Sequence, residues 1–177
     1  MLSFNVAELL RSTPGTTEHI PVAVSDIELA DGVQLARPVQ GDLRLQHSGR
    51  SILVRAHFDT ALAERCARCL RAAVSPVVID LDEEALPSVD LETGAPIDPD
   101  EEPDVMRLTD HHELDLESVV RDAISLAEPI APLCRADCPG LCETCGLDLT
   151  DHPGHAHDDV EIDPRLAALA GIRERLQ

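Results

Sequence analysis

The chain has no tryptophan, no tyrosine and only two phenylalanines, Phe4 and Phe58, in 177 residues. Stacking of nucleobases on aromatic platforms is therefore excluded in its usual form, and the core must be built from Val, Leu, Ile and Ala. Lysine is absent as well: all 14 basic residues are arginine, against 34 acids, for a formal net charge of −20. No apolar run approaches a membrane span, and the opening Met1-Leu2-Ser3-Phe4-Asn5 lacks the basic start and apolar stretch of a secretory leader. The expectation is a cytoplasmic protein whose thiols stay reduced, so that clustered cysteines point to metal rather than to disulfides. P-loop, dinucleotide-glycine, G-x-S-x-G and H-E-x-x-H patterns are also missing, which leaves catalysis without a motif.

Charge is unevenly placed. Residues 1–79 hold eight acids and eight arginines, so the whole negative balance falls in residues 80–177. Such a second half repels phosphate, and any polyanion contact must use arginines of the first half.

What the chain does have is six cysteines, as Cys66-x-x-Cys69 and Cys134-x-x-x-Cys138-x-x-x-Cys142-x-x-Cys145. Two residues between cysteines let one tight turn aim both sulfurs at one ion, the arrangement that tetrahedral zinc needs. Gly146 suits the sharp turn after the last pair. A histidine turn follows, His152-Pro153-Gly154-His155-Ala156-His157, and with His155 and His157 the candidate ligands form four pairs. Two zinc ions could be shared as Cys66, Cys69, Cys134 and Cys138 on one and Cys142, Cys145, His155 and His157 on the other. A single ion on four thiolates, with the rest spare, is the alternative. Either site would be closed to water and structural. Arg65, Arg68 and Arg71 flank the first pair and Arg135 follows Cys134. They can donate to the thiolates or serve a phosphate or protein partner.

Around the cysteines, Asn5 caps a short helix that Pro14-Gly15 stops, and Ile20–Val24 and Ile27–Leu29 read as extended. Asp42-Leu43-Arg44-Leu45-Gln46-His47, the turn Ser48-Gly49, and Ile52-Leu53-Val54-Arg55-Ala56-His57-Phe58 predict a β-hairpin. Alternation puts Leu43, Leu45, Ile52, Val54, Ala56 and Phe58 on one face, and Arg44, Gln46, Arg55 and His57 on the other. A returning strand over residues 73–81 carries Pro76, which predicts an edge or a bulge. The region from 83 to 112 is acidic and proline-containing, and reads as a flexible, solvated loop; His111-His112-Glu113 at its end reads as solvated too. A helix capped by Asp115 runs to Ala127 with Leu116, Val119, Val120, Ala123, Ile124 and Ala127 as its apolar stripe. Asp163-Pro164-Arg165 opens a last short helix lined by Leu166, Leu169 and Ala170.

Three pieces of this chain resemble the YceD family of large-subunit ribosomal RNA accumulation proteins. They are the strand ending in Cys66-Ala67-Arg68-Cys69-Leu70, the stretch from Leu133 to Gly146 with its Cys138-Pro139-Gly140-Leu141-Cys142-Glu143-Thr144-Cys145-Gly146 core, and the tail Ile162-Asp163-Pro164-Arg165-Leu166-Ala167-Ala168-Leu169. Some members carry Cys-x-Cys where this chain has His155-Ala156-His157, and others lack the second cysteine cluster. The resemblance implies a non-enzymatic factor for accumulation of large-subunit ribosomal RNA, with no catalytic residues.

The expected fold is α+β: a mainly antiparallel sheet, with barrel-like closure as one form, flanked by helices and stapled by a zinc-binding C-terminal segment. One domain is expected, divided into a β-rich region (1–82), the acidic loop (83–112) and the helix-plus-cysteine region (113–177). Expected partners are a ribosomal protein, an assembly factor or pre-rRNA of the large subunit, with Arg44, Arg55, Arg65, Arg68 and Arg71 as the contact surface and no small-molecule substrate. Two other classes stay open, a thiol-redox or zinc-dependent enzyme and a zinc-ribbon nucleic-acid binder, the acidic second half weighing against the latter.

Overall fold

Alternating apolar residues are the first cause of the architecture. In the computed structural model, which describes residues 2–29, 32–97 and 105–157, they build long strands. The elements in chain order are β1 (Ser3–Asn5), α1 (Ala7–Arg11), β2 (Thr17–Val24), β3 (Gln34–His47), β4 (Ile52–Arg65), β5 (Ala72–Leu86), β6 (Met106–Arg107), β7 (Glu113–Asp115) and α2 (Glu117–Ala127). The helix expected from Asp163 lies outside the described residues.

Five strands form one sheet in the order β2-β3-β4-β5-β6, antiparallel except for the parallel β5–β6 pair, and β1 and β7 form a separate ribbon. The hairpin register sets Leu43 opposite Ala56, Leu45 opposite Val54 and His47 opposite Ile52. Leu43, Leu45, Ile52, Val54 and Phe58 are fully buried, while Arg44, Arg55 and His57 face out, as the alternation requires. Burying a side chain such as Phe58 contributes about 1.5–3 kcal/mol.

Barrel-like closure does not occur. Among the described residues, β2 and β6 are unpaired with each other, and β6 meets β5 only at Ala85 and Leu86. A two-residue strand at one end of β5 cannot carry the staggered pairing that closes a barrel. The β4–β5 register runs without a shift from Arg65↔Ala72 to Ile52↔Ala85, so Pro76 marks an edge rather than a bulge. Cys66 N–H donates to the Arg71 carbonyl. By alternation the odd residues of β5 then bond to β4, and Pro76, an even position, turns its nitrogen to the open side.

β5 also continues through Glu83 and Glu84 to Leu86, past the point where the acidic loop was expected to start, because Ala85 and Leu86 are buried. Ile27–Leu29 joins no strand, although Ile27 is buried.

One face of the sheet is covered by the helices and the ribbon. Leu9 and Leu10 of α1, Val120 and Ile124 of α2, and Leu114 and Leu116 join the strand residues in one core cluster. The α2 stripe is narrower than its spacing suggests: Val119 and Ala123 are half-buried and Ala127 is exposed. Asn5 Oδ1 accepts from Ala7 N–H (3.1 Å) and Asp115 Oδ1 from Glu117 N–H (2.9 Å), so the two expected caps act two residues before helix onset. Buried His47 ties the hairpin turn to the end of α1, its ring nitrogens 3.0 Å from the carbonyl oxygens of Ser12 and Gly49. No helix among the described residues is long and apolar enough to cross a membrane.

Candidate metal centre

The first cysteine pair sits where β4 and β5 meet. Its backbone is a tight turn: Cys66 N–H donates to Arg71 O (2.8 Å), Leu70 N–H donates to Cys66 O (2.9 Å), and Leu70 has φ +62°. The third pair repeats this geometry. Cys142 N–H donates to Leu147 O (2.7 Å), Gly146 N–H donates to Cys142 O (2.8 Å), and Gly146 has φ +72°. The left-handed residue after the second cysteine is thus Leu70 in one knuckle and Gly146 in the other.

The chain after α2 brings the remaining ligands to these turns. Ala67 N–H donates to Pro132 O (2.7 Å), which lays residues 133–138 against the first knuckle. Cys66, Cys69, Cys134 and Cys138 then converge, with all four sulfurs within 4.8 Å of one another. Cys66 and Cys138 Sγ are 3.7 Å apart, and Cys69 and Cys134 Sγ 3.6 Å. With Zn–S bonds of about 2.3 Å, the edge of a tetrahedral site is about 3.8 Å. All six cysteines are free. Cys142, Cys145, His155 and His157 form a second group, again with one ligand atom each within 4.8 Å of the others. Cys145 Sγ is 3.2 Å from His155 Nε2, which is 3.0 Å from His157 Nε2.

The grouping follows the two-ion alternative of the sequence reading, and each group could hold a metal ion. Crowding of the thiols adds a physical reason for a cation. Backbone N–H groups of Cys134 and then Cys69 hold the Cys66 thiol down to about 6. Desolvation, then the neighbouring thiols of Cys69, Cys138 and Cys66, push Cys134 up to about 12. Four thiols at one point cannot all ionise unaided, and a divalent cation removes that conflict. In the second group the N–H groups of Cys145 and Thr144 hold Cys142 down to about 6. A bound ion would supply cross-links; with every position taken by protein, no place is left for an activated water.

The two groups differ in surroundings. Cys66, Cys69 and Cys138 are buried with Ala73 in a small cluster, packed by Leu133 and Leu141, while Cys134 is exposed. In the second group Cys142 and His155 are half-buried, and Cys145 and His157 are exposed.

The five arginines separate into two sets. Arg44 and Arg55 face each other across β3 and β4 on the outer face, Arg55 paired to Asp82 at 3.3 Å, and Arg65 is exposed at the end of β4. Arg68 and Arg71 are engaged inside the metal module. Arg68 donates to the Cys138 carbonyl (2.9 Å), and its own carbonyl accepts from Leu141 N–H (3.2 Å). Gly140, at φ +81°, lies so close that a Cβ would stand 3.2 Å from Arg68 O. Arg71 pairs with Asp148 (2.7 Å) and with Asp151. Asp148 and Asp151 are contributors that sequence reasoning missed, since two acids in an acidic segment carry no spacing signal. Arg135 pairs with its neighbour Asp137.

Comparison with known proteins agrees with these motifs. Residues 54–173 match the family model of the large ribosomal RNA subunit accumulation protein YceD. The chain is 39% identical over 159 residues to uncharacterized proteins of Mycobacterium tuberculosis and Mycobacterium bovis, covering 86% of this chain and 70% of each of theirs. An uncharacterized protein of Mycobacterium leprae is 36% identical over 141 residues, or 79% of this chain and 61% of its own length. No solved structure matches. With the match running from the β4 strand through both ligand groups, this chain belongs to the YceD family.

Proposed function

We propose that this protein is a cytoplasmic, non-enzymatic factor supporting accumulation of large-subunit (23S) ribosomal RNA, and so ribosome biogenesis, with two structural zinc ions in its ligand groups. The observation that carries the reading is the family match over residues 54–173. The closed donor sets are consistent with it, because thiolates and imidazoles that fill a tetrahedral shell build a fold rather than a catalytic centre. The partner is a ribosomal protein, an assembly factor or pre-rRNA of the large subunit. Arg44 and Arg65, with Arg55 beside them in its ion pair to Asp82, are the arginines of that set turned outward for it, since Arg68 and Arg71 are engaged within the module. The acidic second half favours a basic protein over bare RNA on that side of the molecule.

Depletion in growing cells should lower 23S relative to 16S rRNA, and crosslinking to the tagged full chain should recover a large-subunit component. An unchanged ratio together with no recovered ribosomal component would overturn this reading.

A further inference from the structure

Residues 139–157, which carry the whole second ligand group, attach to the rest of the described molecule through few polar contacts. One is Leu141 N–H on the Arg68 carbonyl; the others are the ion pairs of Arg71 with Asp148 and Asp151. Both acids lie between Cys145 and His155, on the loop that must turn back for the histidines to reach the cysteines. Asp148 is largely buried, with its side chain 17% exposed, and its residue bridges to Leu141. Leu149 N–H donates to the Gly140 carbonyl (3.0 Å). The return path of the loop is therefore pinned at Asp148, and the external side chain holding that pin is Arg71. Arg71 itself is locked to the sheet, because its carbonyl closes the first knuckle by accepting from Cys66 N–H.

We propose that Arg71 is a positioning residue that couples the two ligand groups: metal fills Cys66, Cys69, Cys134 and Cys138 first, and the scaffold so formed presents Arg71 to Asp148 and Asp151, assembling Cys142, Cys145, His155 and His157 for a second ion. The order follows from the mounting. The first knuckle is built on two long strands and its cluster is buried, whereas the second has no strand beneath it. Coupling of this kind is reciprocal, so occupancy of the second group also tightens the first. The inference rests on the two-ion reading above.

The test is a titration of reduced, metal-free full-length protein with Zn²⁺ against a chromogenic chelator, repeated with Co²⁺, whose absorption distinguishes an all-sulfur site from one with two imidazoles. The wild type takes up two equivalents, the all-sulfur spectrum developing first. Arg71→Ala keeps the first equivalent and weakens the second by roughly tenfold or more, as loss of a paired charge-assisted contact does. Arg71→Lys, with a point charge in place of the planar fork, falls between the two. The Asp148→Asn/Asp151→Asn double variant shows the same loss as Arg71→Ala, and combining all three adds nothing further. If Arg71→Ala binds both equivalents as the wild type does, the coupling is wrong while the two-ion reading stands. If Arg71→Ala loses both equivalents, Arg71 serves the fold and not the second group, and the proposal is overturned. A wild type that takes up a single equivalent overturns the two-ion reading and the coupling together.

Discussion

In residues 66–71 and 142–147 the backbone closes in the same way, yet one turn ends a pair of strands fourteen and fifteen residues long and the other interrupts a loop. The strand-mounted turn accepts a leucine at a left-handed position, where the loop-mounted turn uses glycine. A side chain there costs about 1–2 kcal/mol, and the β4–β5 ladder is long enough to absorb it. The buried cluster of the first group is small, and the second has still less apolar support. The contrast teaches that the cysteine-rich module is tied to the sheet by turn hydrogen bonds and by two arginines, while the sheet is held by its aliphatic core.

Loss of a ligand breaks the contrast most severely. Cys138→Ser removes a buried sulfur from the first group and should weaken the first equivalent by more than about 100-fold, since even supporting residues cost 10–100-fold. Through the Arg71 link, it should weaken the second equivalent too. Cys145→Ser should remove only the second equivalent and leave the first within the reciprocal coupling. Metal content after dialysis against a weak chelator distinguishes them.

A smaller effect compares the two turns directly. Gly146 has φ +72° and open space where a Cβ would go, so Gly146→Ala tests backbone strain alone. It should cost about 1 kcal/mol of local stability, read by hydrogen exchange at residues 142–149. Leu70→Gly should do the reverse at the first turn, a gain of no more than about 1 kcal/mol because glycine also loses more backbone entropy on folding.

The smallest effect concerns the sheet under the first turn. His57 lies 2.6 Å from Asp80. That bond and the charge of Asp80, aided by the weaker effects of Asp59 and Asp42, hold the His57 pKa above its ordinary value against an opposing desolvation. With the folded value raised, the pair stabilises the sheet fully below the unfolded value of about 6.5 and loses its contribution as pH rises through the folded value. Asp80→Asn should lower the His57 titration midpoint followed by NMR and flatten that pH dependence of the denaturation midpoint. Both side chains are mostly exposed, so the change in stability is slight.

Much of this molecule is readable along the chain. Leu43, Leu45, Ile52, Val54 and Phe58 announce a hairpin with one buried face, and period-2 alternation leaves them no other arrangement. Pro76 announces an edge or a bulge because it has no N–H to give, and the unshifted β4–β5 register selects the edge. The cysteine spacing announces knuckles, because two intervening residues suffice for one turn. Open rather than closed sheet topology was not legible, since it depends on how short β6 is and where it meets β5. Nor was the engagement of Arg68 and Arg71 decided, since a place beside the first knuckle suits donation to the thiolates and contact with a partner alike.

The sequence by itself determined the kind of site: reduced thiols and imidazoles in pairs, at spacings that local turns alone can satisfy. Which pairs converge was decided by the tertiary structure. Cys66 and Cys138 are separated by 72 residues and stand 3.7 Å apart because Pro132 is hydrogen-bonded to the β4–β5 turn, a contact that no local periodicity encodes. The same holds for Arg71 and Asp151, 80 positions apart. Local turns are dictated by neighbouring residues, whereas the meeting of distant turns depends on the length and packing of the strands that carry them.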